Sequence, residues 1–250
     1  MKNKLKLSYL ILMLMIAVSF IDAQIQKHLS GVNVTDIVFD GKELWVSTDG
    51  NGIYKYSYAK NSWKNYSTNE NNLQHNFFYC IEASNQYVWA GSTDGLFMFD
   101  KRRSKWSKRK FGMGGQLGNW VRSLAYDEFE NVLWIGRFKY LTKFDLRKKR
   151  FFDYDLTINN DEKTNTIKKI AVDSDSLVWF GTEAGVHKYR KSMDIESTAS
   201  RTFYNNSGNY FNHEGKSVSI ADIKFEGYNV WFGLDEFITK ENPEYNIGGI

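Results

Sequence analysis

The segment Val178-Trp179-Phe180-Gly181 decides the fold, because close copies of it recur along the chain. The copies are Leu44-Trp45-Val46-Ser47, Val88-Trp89-Ala90-Gly91, Leu133-Trp134-Ile135-Gly136 and Val230-Trp231-Phe232-Gly233. The five Trp residues are separated by steps of 44, 45, 45 and 52 residues. This near-constant spacing predicts a repeated structural unit.

Each unit contains four short runs that are typical of β-strands. An alternating run precedes the Trp segment, and a polar turn such as Thr93-Asp94-Gly95 leads from that segment to an aromatic strand. The fourth runs centre on Trp63, Trp106, Phe151-Phe152 and Phe203-Tyr204. No sustained period of 3.6 residues follows Gln24. A period in the forties with four strands per unit predicts an all-β protein, a β-propeller of five four-stranded blades.

The two ends of the repeat array leave the closure of the ring open. The fifth unit stops after its third strand, near Thr239, and the tail to Ile250 predicts no fourth strand. Residues 25–29 form a short run before the first unit that has no earlier strand to pair with, and they stand where the outer strand of a preceding blade would lie. We therefore expect residues 25–29 to complete the blade that begins at Val218. The alternative is that the chain is a truncated part of a longer, seven-bladed propeller, and the sequence does not separate the two.

The N-terminal segment has the layout of a secretory signal peptide. Three Lys residues precede an apolar run from Leu7 to Phe20, and a small-residue stretch ends at Ala23. We therefore expect residues 1–23 to be removed, residues 24–250 to form the propeller, and the protein to be periplasmic or at the cell surface, without a membrane span. An uncleaved anchor is the alternative. Cleavage removes three Lys and one Asp, which lowers the formal net charge from +4 to +2, and a nucleic-acid partner is not expected.

The units resemble the two-component regulator propeller repeat, most closely from Asp173 to Val186, and the resemblance covers about residues 25–240. That family implies an extracytoplasmic sensor of hybrid two-component systems, which detects oligosaccharides. It further implies a membrane histidine kinase or another propeller as partner. The five units differ from the usual seven per ring, and no kinase segment follows them here.

The third unit carries the best candidates for ligand binding. The loops between blades and the turns between second and third strands share one face of a propeller, where loops on a rigid scaffold are free to bind ligands. Where other units have a turn such as Thr-Asp-Gly, this unit reads Arg137-Phe138-Lys139-Tyr140. Aromatic rings with planar polar groups suit sugars. The predicted site residues are Trp120, Arg122, Arg137, Phe138, Tyr140 and His75. The alternative is a rebuilt hairpin with surface aromatics.

Other chemistry finds less support in the sequence. Asp49, Asp94, Glu183 and Asp235 lie at similar points of their units, which would suit glycoside hydrolysis, but Asp before Gly is ordinary turn chemistry. The four His residues are scattered, and the single Cys, Cys80, lies in a strand. We therefore expect no metal, no cofactor and no catalysis. The alternatives to a sensor are a protein-docking scaffold and a five-bladed glycoside-active enzyme.

Overall fold

The structure, a computed structural model, describes residues 28–71, 73–208, 210–211 and 218–235, together with the backbone of two strands nearer the C-terminus. Residues 1–23, which hold the predicted signal peptide, lie outside the described residues. So does most of the predicted closing strand, residues 25–29. The chain has two compact units, Met1–Val32 and Asn33–Ile250, and the repeat array lies in the second.

Four of the repeats form four-stranded antiparallel sheets, which we call blades 1 to 4. The strands of blades 1 and 2 are β1 (Val34–Phe39), β2 (Glu43–Thr48), β3 (Ile53–Ser57), β4 (Ser62–Tyr66), β5 (Cys80–Ala83), β6 (Tyr87–Ser92), β7 (Gly95–Asp100) and β8 (Lys105–Arg109). Those of blades 3 and 4 are β9 (Val121–Asp127), β10 (Val132–Arg137), β11 (Leu141–Asp145), β12 (Arg150–Tyr154), β13 (Ile167–Val172), β14 (Leu177–Thr182), β15 (Val186–Arg190) and β16 (Arg201–Tyr204). The predicted four-strand unit is confirmed in these four repeats.

The fifth repeat begins like the others and then differs. Its first two strands, β17 (Ile220–Glu226) and β18 (Asn229–Leu234), pair with each other as blade 5. A separate hairpin follows, in which β19 (Phe237–Thr239) pairs with β20 (Asn242–Asn246). The prediction that the tail offers no further strand is therefore wrong. The tail carries the chain's single Pro, a residue that a strand outside a continuous sheet tolerates. Closure of the ring is not shown.

Successive blades pack face to face, and each of the four contacts between them has its own apolar core. The first strands lie side by side in the order β1, β5, β9, β13, β17. The repeated Trp points into the next blade: Trp45 contacts Phe99 at 5.2 Å between ring centroids, and Trp134 contacts Phe180 at 5.4 Å. The repeated Trp residues of blades 1 to 4 are all buried, as a structure with two covered sheet faces requires.

The Gly two residues after the repeated Trp allows neighbouring blades to approach closely. A Cβ on Gly136 would lie 2.6 Å from Cγ2 of Ile167, and a Cβ on Gly181 would lie 2.6 Å from Cγ2 of Ile220. In both cases the colliding side chain comes from the first strand of the next blade. A side chain at either position would therefore collide with the neighbouring blade.

Candidate functional site

A β-bulge recurs near the start of the first strand and changes the direction of one side chain there. In blade 3, Val121 pairs with Arg137 and Ser123 pairs with Gly136, so Arg122 is the extra residue. The same shift in β13 makes Lys168 the extra residue of blade 4. Because a bulge turns its extra side chain away from the regular alternation, Arg122 and Lys168 occupy equivalent special positions in adjacent blades.

An aromatic pair lies beside Arg122. The rings of Trp120 and Phe138 are stacked, with centroids 5.2 Å apart and planes 8° from parallel. The backbone N–H of Phe138 donates to the carbonyl oxygen of Trp120 at 2.8 Å, which fixes the turn against the loop before β9. The Arg122 guanidinium carbon lies 5.5 Å from both ring centroids, within the range of a cation–π contact. Tyr79 of blade 2 extends the cluster, 5.7 Å from Trp120.

Ion pairs connect this aromatic cluster to the next two blades. Arg122 Nη1 lies 2.7 Å from Glu183 Oε1, a residue of the β14–β15 turn. In the same way Lys168 pairs with Asp235 after β18, and its Nζ donates to Ser219 Oγ at 2.8 Å. Burial lowers the pKa of Lys168, and the nearby charge of Arg122 lowers it further, while Glu183 opposes the shift. In blades 3 and 4 the bulge residue therefore binds a carboxylate of the next blade.

Arg137, one of the predicted site residues, is directed into the protein rather than to this surface. Its side chain is fully buried. Nη1 donates to the carbonyl oxygens of Gly118 at 2.8 Å and Met113 at 3.2 Å, and Nη2 donates to Asp153 Oδ1 at 2.8 Å. Burial lowers its pKa, and Asp153 opposes this shift. Arg137 thus holds the glycine-rich loop before β9 in place.

The turn that carries Arg137 has the same backbone hydrogen bond as the β14–β15 turn, but its side chains differ. Elsewhere a hydroxyl closes the turn, as Thr182 Oγ1 does by donating to the carbonyl oxygen of Gly185 at 2.8 Å. Arg137 stands at the position of that Thr, and Tyr140 stands at the position of that Gly. Tyr140 accordingly has φ +77°, a left-handed conformation that glycine adopts more easily. Its ring lies 5.7 Å from the Arg137 guanidinium.

His75 belongs to a different part of the molecule. It lies in the loop from β4 to β5, where its ring contacts Phe78 at 5.6 Å and Phe97 at 6.0 Å. Burial lowers its pKa, which favours the neutral imidazole. Within the part of the chain that the structure describes, no contact connects His75 with Trp120. Of the six predicted residues, the structure brings together Trp120, Phe138 and Arg122 at the surface.

The carboxylates at the turns have polar or cationic neighbours. Asp94 pairs with Lys108 and with Lys110, and these cations lower its pKa although burial opposes them. Asp49 Oδ2 accepts a hydrogen bond from the Asn33 amide at 3.4 Å. Among the described residues no group of three or more His, Cys, Asp or Glu side chains is placed to hold a metal ion.

Sequence reasoning missed Lys168, Ser219 and Tyr79. A signal for Lys168 was present in the repeat, since Lys168 lies 11 residues before Trp179 and Arg122 lies 12 residues before Trp134. The signal was hidden because the bulge breaks the simple alternation by which side chains are assigned to a face.

Comparison with known proteins identifies the fold. No protein-family model and no curated protein matches the chain. The extracellular domain of the hybrid two component system BT4673 from B. thetaiotaomicron is similar over 83% of this chain, with 22% identity and a TM-score of 0.64. The extracellular domain of the hybrid system BT3049 from the same organism is similar over 86%, with 15% identity and a TM-score of 0.61.

A third similar structure is PorZ, a surface component of the type-IX secretion system of Porphyromonas gingivalis, with 17% identity over 87% of this chain and a TM-score of 0.59. This chain spans 27% of BT4673, 29% of BT3049 and 33% of PorZ. In the described part of the chain, no helix has the length and apolar character needed to cross a membrane. What these proteins share with this chain is an all-β, propeller-like fold.

Proposed function

We propose that this chain is the ligand-binding propeller of an extracytoplasmic sensor, and that Trp120, Phe138 and Arg122 form its binding site. The observation that carries the proposal is the stacked aromatic pair with a guanidinium 5.5 Å from both rings. The three side chains are half-buried, so they are held in place and still reach solvent. Residues fixed by a scaffold yet open to solvent are typical of small-molecule sites.

The ligand class that suits this site is an oligosaccharide. The apolar C–H face of a sugar packs on the exposed part of an aromatic ring, and its hydroxyls pair with planar polar groups. Arg122 and Glu183 supply such groups, donor and acceptor, 2.7 Å apart beside the aromatic pair. We assign Arg137 a supporting role, because its donors bind the loop from Met113 to Gly118 that leads to Trp120.

Binding without catalysis is supported by the state of the carboxylates. Glycoside hydrolysis needs an acid and a second carboxylate converging on one bond. Glu183, Asp235 and Asp94 are instead each paired with a cation: Arg122, Lys168 and Lys108 respectively. We further propose export to the periplasm or cell surface and signalling through a membrane histidine kinase, in line with the extracellular domains to which the fold is similar.

Thermal unfolding with a panel of neutral and uronate-containing oligosaccharides tests the proposal. We expect one class of sugar to raise the melting temperature, since a ligand that binds only the folded state stabilises it. Trp120→Ala and Arg122→Gln should each abolish the rise. Phe129→Ala is the matched control, because Phe129 is an exposed aromatic residue of the same blade in the β9–β10 turn, at the opposite end of the strands.

Two results would contradict the proposal. If no sugar of either class changes the melting temperature, the ligand class is wrong. If a sugar stabilises the wild type and the Trp120→Ala variant equally, the ligand binds elsewhere.

A further inference from the structure

Blade 1 leaves uncovered a sheet face whose counterpart is buried in every other blade. We call this surface, made of Val34 and Ile37, the leading face. Ile37 is 55% exposed, whereas its equivalents Ile81, Leu124, Ile170 and Ile223 are at most 8% exposed. Val34 is likewise exposed, although Val121 and Ile167 at its position are fully buried. The side chains at these positions are apolar in every blade. Blade 1 differs in that no described strand packs against this face.

Blade 5 leaves uncovered the other half of the same contact. We call the surface made of Trp231 and Gly233 the trailing face. Trp231 is 48% exposed, whereas the repeated Trp of blades 1 to 4 is at most 7% exposed. A Cβ on Gly233 would meet only Asp222 of its own blade among the described residues, at 3.5 Å. At Gly136 the same notch is filled by Ile167 of the next blade.

The two faces are complementary, residue by residue. At three of the four internal contacts, the side chain at the Val34 position enters the glycine notch of the blade before it, as Val121 does at Gly91 and Ile220 does at Gly181. Blade 1 has Ser47 in place of this glycine. At the trailing face the notch is Gly233, and at the leading face the side chain that fits it is Val34. The trailing face of blade 5 can therefore pack against the leading face of a blade 1.

Polar groups at the rim of the contact repeat as well. Asp40 of blade 1 accepts a hydrogen bond from its own Trp45 indole and pairs with Lys101 of blade 2 at 2.5 Å. Glu226 of blade 5 accepts the same hydrogen bond from Trp231 at 3.0 Å. The residue of blade 1 at the position of Lys101 is Tyr58, which is exposed. Its hydroxyl can donate to Glu226 across a contact between blade 5 and blade 1.

We propose that a second copy of this chain covers these faces, with the trailing face of one copy packed head to tail on the leading face of the other. One chain carries both halves of the contact, and none of the residues that the structure describes covers either half. A head-to-tail contact of this kind closes into a ring of two copies or extends into longer assemblies. Exposed apolar surfaces that are bordered by polar residues mark sites of protein–protein contact.

Sedimentation velocity of the purified chain between about 1 µM and 100 µM tests the proposal, because association depends on protomer concentration. We expect dimers or larger species that grow with concentration. Ile37→Asp blocks the leading face and Trp231→Asp blocks the trailing face, so each variant alone should be monomeric. An equimolar mixture of the two variants should form a dimer, because one copy keeps a trailing face and the other keeps a leading face.

Gly233→Val is a second variant of the trailing face that does not depend on removing a Trp. Its side chain fills the notch, and the conformation of Gly233 is not left-handed, so the fold should tolerate it while association is lost. Phe129→Asp, at an exposed aromatic position away from both faces, should associate like the wild type.

Several outcomes would overturn the proposal. One is a wild type that stays monomeric throughout the concentration range. Another is a mixture of the two blocked variants that stays monomeric although both are folded by circular dichroism. A third is a monomeric wild type for which the Ile37→Asp/Trp231→Asp double variant melts no lower than the two single variants. That result would show that the two faces meet within one chain, as a closed five-bladed ring requires.

Discussion

Replacing Gly136 by Ala should destabilise the protein, because the added methyl group collides with the next blade. The new Cβ would lie 2.6 Å from Ile167 Cγ2 and 3.3 Å from Ile170 Cδ1, whereas carbon atoms in contact prefer about 3.5–4.0 Å. The backbone or Ile167 must therefore move by about 1 Å. Both isoleucines are buried in the core between blades 3 and 4, where there is little room to move.

The expected cost follows from measured overpacking. Forcing an extra carbon into a packed core costs about 1–3 kcal/mol of unfolding free energy. For a chain of this size each kcal/mol lowers the melting temperature by about 2–4 °C, so we expect a decrease of about 2–12 °C. Urea denaturation and thermal unfolding by circular dichroism would measure the two quantities.

Two companion variants make the test specific. Gly112→Ala adds a Cβ that meets nothing within 4 Å, and its melting temperature should stay close to that of the wild type. Ile167→Ala removes the colliding atom, so Gly136→Ala should cost less in that background than in the wild type. The reasoning is refuted if Gly136→Ala melts like Gly112→Ala, or if its cost is unchanged by Ile167→Ala.

Three further predictions concern buried polar and thiol groups. Burial lowers the pKa of His187 to about 4. The free energy of unfolding should therefore decrease by about 3 kcal/mol as the pH falls from about 6.5 towards 4. Urea denaturation should show this decrease in the wild type and a smaller one in His187→Gln. Lys191 and Asp127 form a buried ion pair at 2.6 Å; Lys191→Met should cost about 3–5 kcal/mol, and Asp127→Asn in addition should recover part of it in the same assay. Burial raises the pKa of the Cys80 thiol, so a thiol-specific chromophoric reagent should label no thiol in the native protein and one per chain in denaturant.

The proposed site was only partly predictable. Trp120, Phe138 and Arg122 were found because the third repeat departs from the others at its turn, a difference visible by aligning the units. Arg137 was placed in the same site because its neighbours in sequence are there. Its direction is decided by partners that lie far along the chain: the carbonyl of Gly118 and the carboxylate of Asp153.

By itself, the sequence determined the all-β character of this protein and the four-stranded unit that four of its repeats form. The Trp steps and the alternation of apolar residues depend on local geometry that repeats along the chain, so the four-stranded unit followed from the pattern. Only the tertiary structure decided which long side chains reach the surface. A bulge turns Arg122 and Lys168 out of the alternation, and carboxylates of the next blade, Glu183 and Asp235, then hold them. Such pairs join residues that are distant in sequence, and a period of two residues carries no information about them.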